Sequence, residues 1–423
     1  MRKSILGIIL LLCMILTSCS STKPFVEGFA ADPCLPLEDK LVMGGGIKVS
    51  FDYPEMYFDA SLFLDRYIEL IEGAEDYVII TTFLGSSCEG LEELYDAIAG
   101  KAASGVPVYM IIDGVSSYDM TASASFMTPL YFLRESGVHL IEYNPLSIFN
   151  VVNPSTLLVR EHRKLVVVDG QWAVLGGMNM NYISMGADNI DLQRDSMYVF
   201  NSPSLASCLV DEFVSIWNES SVEKIDRDDF EDKAAEEGEI TGYLFNQGPG
   251  GHADMASMYS SLFSSAREEI VMLPYLAFLD DNMYESLKTA QDRGVEVTMY
   301  LPIDSREYVQ GALFYDYHNL VEAGFNVYIE YAGEETGLSL LHQKLAVVDG
   351  RYTVIGSSNI NYRSMTLSHE IALVVDSEEF AAASLDQVED IKKNMAPLDE
   401  ETALKLKEEK GSWPMYLFSY FGG

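Results

Sequence analysis

Basic side chains are scarce in this chain. Its 423 residues hold 27 Lys and Arg against 65 Asp and Glu, a formal net charge of −38. That balance argues against nucleic acid as a partner, because phosphate backbones are bound mainly through Lys and Arg patches. It also requires an anionic substrate to find a local positive pocket in a repulsive field, screened over roughly 8 Å at physiological ionic strength. Cysteine is scarce too. Cys13, Cys19, Cys34, Cys88 and Cys208 lack metal-ligand spacing, so no zinc site, disulfide framework or cofactor is implied. Long apolar runs are missing: Ile5 to Leu16 is a run of 12, too short to span a membrane. The remainder, 48% hydrophobic and 22% charged, is ordinary globular sequence, long enough for two lobes.

Histidine is rare as well, with six in the chain, yet two of them stand at equivalent points of a repeat. From His162 the sequence reads HRKLVVVDGQWAVLGGMNMNYISM; from His342 it reads HQKLAVVDGRYTVIGSSNINYRSM. Fourteen of 24 positions are identical without a gap. Both copies carry His-x-Lys-x4-Asp, ending at Asp169 and Asp349. Both continue to a Gly-[Gly/Ser]-x-Asn that contains Gly177 and Asn179 or Ser357 and Asn359. A duplicated polar constellation implies two half-sites that face each other in one active site.

The repeat extends beyond the motif. In the first half, Tyr77 to Phe83 and Val106 to Asp113 read as strands around a helical stretch from Glu89 to Ala103. In the second, Glu269 to Pro274, Val295 to Leu301 and Phe325 to Tyr331 read as strands among helical stretches. The alternation predicts an α/β fold with a mixed, helix-flanked sheet in each lobe. The expected division is a first lobe over 46–218, an acidic linker over 219–240, and a second lobe over 241–396. An aromatic tail over 397–423 would lie at a lipid interface or pack back on the second lobe.

The motif residues suit a phosphate group. On a strand, i and i+2 share a face, so His162 points with Lys164 and His342 with Lys344. One imidazole can be neutral and nucleophilic while the other is protonated. Two ammonium groups and the amides of Asn179 and Asn359 would hold equatorial oxygens and stabilise developing charge. Arg160 and Arg163 flank the first motif and would help attract anionic head groups. His139, His252, His318 and His369 read as structural.

On these motifs, and on the Asn246-Gln247-Gly248-Pro249 stretch before the second lobe, the chain resembles the phospholipase D superfamily, specifically its bacterial cardiolipin synthase-like members. The resemblance covers nearly all of 70–395. It implies two pseudo-symmetric lobes with the active site at their interface. It implies that His162 attacks phosphorus to form a phosphohistidine and that His342 protonates the leaving alcohol, then activates the acceptor. Asp195 and Glu370 match the family's downstream acids, which implies that Glu370 supports His162 and Asp195 supports His342. The implied substrate is a phospholipid, phosphatidylglycerol or a relative, passed to an alcohol or to water. A nuclease of the superfamily and a catalytically degenerate lipid-binding protein are the competing readings.

The start of the chain also carries a resemblance. Arg2 and Lys3, the apolar run and Leu16-Thr17-Ser18-Cys19 resemble a bacterial lipoprotein signal ending in a lipobox. Residues 1–18 would be removed, Cys19 lipidated, and 19–45 left as a tether on the extracytoplasmic face of a membrane. An ordinary secretory signal with a chance Cys is the alternative.

Overall fold

The structure, a computed structural model, describes residues 26, 28–86, 90–116, 130–147, 150, 152–185, 193–234, 237–250, 252–303, 307–330 and 340–422. The expected signal, Cys19 and the first part of the tether lie outside them. The chain divides into two compact units. One comprises Lys48–Leu146 and Arg160–Gly242; the other comprises the described residues up to Ile47, Ser147–Val159 and Tyr243 onward.

Residues 48–51 of β1 (Ile47–Phe51) belong to the first unit, where Phe51 meets Phe200 edge-on, their centroids 4.9 Å apart. The sheet is built from β2 (Glu55–Tyr57), β3 (Val78–Thr82), β4 (Val108–Asp113), β5 (His139–Tyr143), β6 (Leu165–Val168), β7 (Trp172–Gly176) and β8 (Met197–Asn201). Its order is β2-β8-β7-β6-β3-β4-β5. Strands β3, β4 and β5 run parallel, while β6, β7 and β8 pair antiparallel. Central β3 and β6 are buried along their whole length, which suits their Val- and Ile-rich composition. Flanking helices include Ala60–Gly73, capped by Asp59, and Pro203–Ser220, capped by Ser202.

The second unit contains β9 (Ile240–Gln247), β10 (Glu269–Pro274), β11 (Glu296–Leu301), β12 (Asn326–Glu330), β13 (Lys344–Val348), β14 (Tyr352–Gly356), β15 (Glu370–Asp376) and β16 (Met395–Pro397). Their order is β9-β15-β14-β13-β10-β11-β12-β16. The run β8-β7-β6-β3-β4-β5 therefore reappears as β15-β14-β13-β10-β11-β12, with the same mixture of directions. The mixed α/β architecture and its duplication are as the sequence predicts.

Two boundaries differ from expectation, and the aromatic tail takes one of its two expected placements. Residues 219–242 are packed onto the first unit instead of linking lobes. The Trp217 indole donates to the Glu223 carbonyl, Arg227 bridges Asp211 and Asp232, and Phe230 is buried edge-on to Tyr77. The later part of the expected tether is folded too. Helix Leu37–Met43 buries Leu41 in the second unit's core, and the Lys40 ammonium donates to Ser265 Oγ at 2.9 Å. The aromatic tail forms helices Glu400–Lys410 and Trp413–Gly422, both packed on helix Glu307–Glu322. Enough apolar side chains lie in each segment to bury a face, and acidity alone does not reveal them.

The motif aspartates close both sheets at one end. Asp169 and Asp349 take positive φ, 54° and 53°, and the Gly after each is also left-handed, as an Asp-Gly hairpin turn requires. Asp169 then accepts from the amides of Glu75, Asp76 and Tyr77 at 2.7–2.9 Å. Asp349 does the same for Arg267, Glu268 and Glu269. Each carboxylate thus ties the β6–β7 or β13–β14 turn to the start of the neighbouring strand. Asp169→Ala should destabilise the first unit by about 2 kcal/mol in urea unfolding, and Asp169→Asn by less, because Asn still accepts and tolerates left-handed backbone.

A second buried acid makes the second unit pH-sensitive. Burial pushes Asp316 up to about 7, against the pull of Asn319, which donates to it at 3.0 Å, and of Lys407. Between about pH 4 and 7 the folded chain holds a proton that the unfolded chain has released. Stability should therefore fall as pH rises through that window, by at most about 1.4 kcal/mol per pH unit. Asp316→Asn should flatten this slope, gaining on the wild type at pH 8 but not at pH 4 in thermal unfolding.

Candidate active site

The opposite end of the same strands carries the histidines. Strand β6 pairs with β3 in the register Thr81↔Leu165 and Val78↔Val168, so the motif starts beside the end of β3. His162 and Lys164 precede β6 and are buried. The Lys164 ammonium donates to the His162 carbonyl at 2.5 Å. The Phe83 ring, one residue past β3, meets the His162 ring edge-on at 4.5 Å, and Lys164 Nζ stands 5.0 Å from the Phe83 centroid. One aromatic ring thus supports both polar groups, through a T-shaped contact and a cation–π contact.

The second unit repeats this with Tyr275, one residue past β10. Its ring lies 4.4 Å from that of His342, and Lys344 Nζ is 5.5 Å from its centroid. Lys344 Nζ also lies 2.8 Å from His342 Nδ1. Phe83 and Tyr275 were not singled out from the sequence. The signal was available, because each aromatic closes the strand paired with its motif.

The asparagines sit on the turn after β7 or β14. Asn179 Oδ1 accepts from the Leu84 amide at 3.2 Å, which turns the amide's NH2 end away from that backbone. The turn is pinned to the strand end by Ser86 N donating to the Met180 carbonyl at 3.0 Å, and in the second unit by Phe278 N donating to Ile360 O at 2.8 Å. Asn359 is buried on the equivalent turn.

Asp195 and Glu370 are buried beside these turns, each against the residue two before the Asn. Gly177 has no room for a side chain, since a Cβ there would fall 2.1 Å from Asp195 Oδ1. Ser357, its counterpart, donates from Oγ to Glu370 Oε2 at 2.5 Å and accepts from the Ile371 amide at 3.0 Å. Gly177 and Ser357 are thus in contact with Asp195 and Glu370. Asp169 and Asp349 are seven residues from each His, about 20 Å along an extended strand. Their role is the turn described above.

The arginines beside the first motif have a different role from the one expected. Arg160 and Arg163 are buried. Arg160 pairs with Asp113 at 3.1 Å, and Arg163 with Glu161 at 2.5 Å and Glu212 at 3.0 Å. These are internal ion pairs that hold the approach to β6, and their carboxylates match the guanidinium charges. Among the described residues, no group of three or more His, Cys, Asp or Glu is placed to hold a metal ion, and no helix is long and apolar enough to cross a membrane.

A duplicated α/β chain, with a buried His–Lys pair at the same strand end in each half, defines a class of two-motif phosphoryl-chemistry proteins. The chain belongs to the phospholipase D-like family described as "Cardiolipin synthase, PLD-like domain", which it matches over residues 67–217 and 259–391. It is similar to cardiolipin synthase 1 of Staphylococcus epidermidis, 25% identical over 77% of this chain and 65% of that protein. It is also similar to cardiolipin synthase A of Pseudomonas putida, 28% identical over 85% of this chain and 70% of that protein. The chain therefore spans about two thirds of the length of these relatives. Its fold is that of phosphatidylserine synthase from Haemophilus influenzae, with a TM-score of 0.70 over 90% of this chain and 94% of that one at 15% identity.

The contact between Ser357 and Glu370 yields a kinetic prediction. Ser357→Ala should lower kcat about tenfold with little change in KM, because Glu370 loses the donor that fixes it while the fold keeps its packing. Gly177→Ala should be worse, since its Cβ displaces Asp195. Steady-state kinetics of both variants, with circular dichroism as a check on folding, would decide it. Equal kcat in wild type and Ser357→Ala would remove the positioning role.

Proposed function

We propose that this protein transfers a phosphatidyl group between alcohols, or to water, through a phosphohistidine. The observation that carries this reading is the duplicated half-site, a buried His–Lys pair on an aromatic ring with an Asn on the adjacent turn. The names of the similar cardiolipin synthases support a phospholipid as substrate.

In the proposed first step, His162 attacks phosphorus. A nitrogen–phosphorus bond forms, the ester bond to the leaving alcohol breaks, and protonated His342 gives its proton to the departing oxygen. His342 ends neutral. In the second step the neutral His342 takes a proton from the acceptor hydroxyl, whose oxygen attacks phosphorus and releases His162. Lys164, Lys344, Asn179 and Asn359 hold the non-bridging oxygens as charge builds. Glu370 is assigned to orient His162, and Asp195 to stabilise the protonated form of His342. With phosphatidylglycerol as both donor and acceptor the product is cardiolipin plus glycerol; with water it is phosphatidic acid. Lipidation of Cys19 would place the enzyme on the extracytoplasmic face of a bacterial membrane, beside its substrate.

The test is incubation of the full-length protein with phosphatidylglycerol vesicles beside His162→Ala, with products resolved by mass spectrometry. Cardiolipin and glycerol, absent in the variant, are expected. Phosphatidic acid alone would make the protein a hydrolase. Turnover that survives in His162→Ala would overturn the covalent mechanism, and cleavage of DNA without lipid turnover would overturn the substrate class.

A further inference from the structure

Helix Trp413–Gly422 is inverted with respect to polarity. Its sequence is WPMYLFSYFG, and its one fully buried residue is Ser419. Tyr416 and Tyr420 turn inward with Ser419, against Phe278, Tyr315 and Tyr362. Trp413 is 56% exposed and Met415 39%, with Pro414 exposed between them and Leu417 and Phe418 half-buried. A helix of a globular protein normally turns its apolar stripe to the core and its polar face to water. Here the core takes the serine and two tyrosines, and the most exposed face is apolar.

The surrounding charge selects the occupant of that face. No charged residue occurs from Gly411 to the end of the chain, in a sequence with a net charge of −38. The preceding helix, Glu400–Lys410, ends LKLKEEK and exposes Lys405 and Lys410 together with Glu400, Glu401, Glu408 and Glu409. From Ala403 onward the chain holds three Lys and two Glu, a small local excess of Lys in an otherwise acidic protein. A Trp ring with a polar edge suits the headgroup zone of a bilayer.

We infer that the exposed face of helix Trp413–Gly422 docks into the interfacial layer of an anionic phospholipid bilayer, with Trp413 as its leading anchor. This deepens the lipid reading above, but its test needs no turnover. Full-length protein is mixed with phosphatidylglycerol vesicles that carry brominated acyl chains, and tryptophan emission is measured. Of the other two Trp, Trp217 is buried and Trp172 half-buried. Quenching is therefore expected in the wild type and should be lost in Trp413→Phe. Any N-terminal acyl anchor is the same in both proteins, so the difference reports only where residue 413 sits. Equal quenching in the two proteins would overturn the proposal.

A kinetic arm separates docking from catalysis. Trp413→Glu with Met415→Glu should raise the apparent KM for vesicle lipid roughly tenfold, with turnover of a monomeric short-chain phosphatidylglycerol unchanged. Loss of both activities would mean a structural role and sink the docking role. A lipid-independent dimer in analytical ultracentrifugation that Trp413→Glu dissolves would assign the face to a second copy and also overturn the inference. If neither substrate turns over in the wild type, the proposed function fails while the quenching result still stands.

Discussion

The antiparallel pairing of each motif strand with the strand before it in the core is the constraint on which the rest depends. At one end of β6 and β3 the Asp169 carboxylate gathers three amides; at the other, Phe83 and His162 meet. With the register fixed at one end, a strand cannot slip without turning its whole set of side chains to the other face. The spacing His-x-Lys-x4-Asp is then a mechanical specification. The Asp sets the register, the buried strand carries it, and the His and Lys are delivered to a fixed position about 20 Å away. The same device works in β13 and β10 through Asp349 and Tyr275.

This arrangement also explains how cations are concentrated in so acidic a chain. The Lys164 and Lys344 ammonium groups are buried, each on the face of an aromatic ring and each donating to the carbonyl of its own His. Ring and carbonyl stabilise a positive charge without neutralising it, whereas a carboxylate in the same place would cancel it. The arginines nearby are treated the opposite way. Arg160 and Arg163 are matched to Asp113, Glu161 and Glu212 and contribute rigidity, with no net positive field.

Much of this was legible in the sequence, because a repeat reports on structure twice. The α/β class, the mixed sheet in each half, and the grouping of His with Lys all follow from alternation and from the identity of the two copies. What was not legible depends on contacts distant along the chain. Gly177 and Ser357 look like residues that approach a ligand, and only the adjacent strand shows that Asp195 and Glu370 occupy their space. The acidic stretch after Ser220 looks like a solvated linker, since its charges outnumber its anchors. Phe230, Ile225 and the Arg227 bridges nonetheless hold it to the first unit. Arg160 and Arg163 look available until Glu212, 49 residues from Arg163, is seen to be its partner.

The duplication also shows where the two halves were free to diverge. Two identical half-sites would give the two histidines the same proton affinity, and proposed roles as nucleophile and as acid require them to differ. The strands, the turns, the aromatic supports and the lysines are nearly equivalent, so they cannot supply that difference. The supporting acids can. In the first unit a short carboxylate, Asp195, folds back over a glycine and accepts from the amide of Ser196 at 2.8 Å. In the second a longer one, Glu370, is held by a serine hydroxyl at 2.5 Å. The pair Gly177 and Ser357 is thus the point at which the supports of the two half-sites differ.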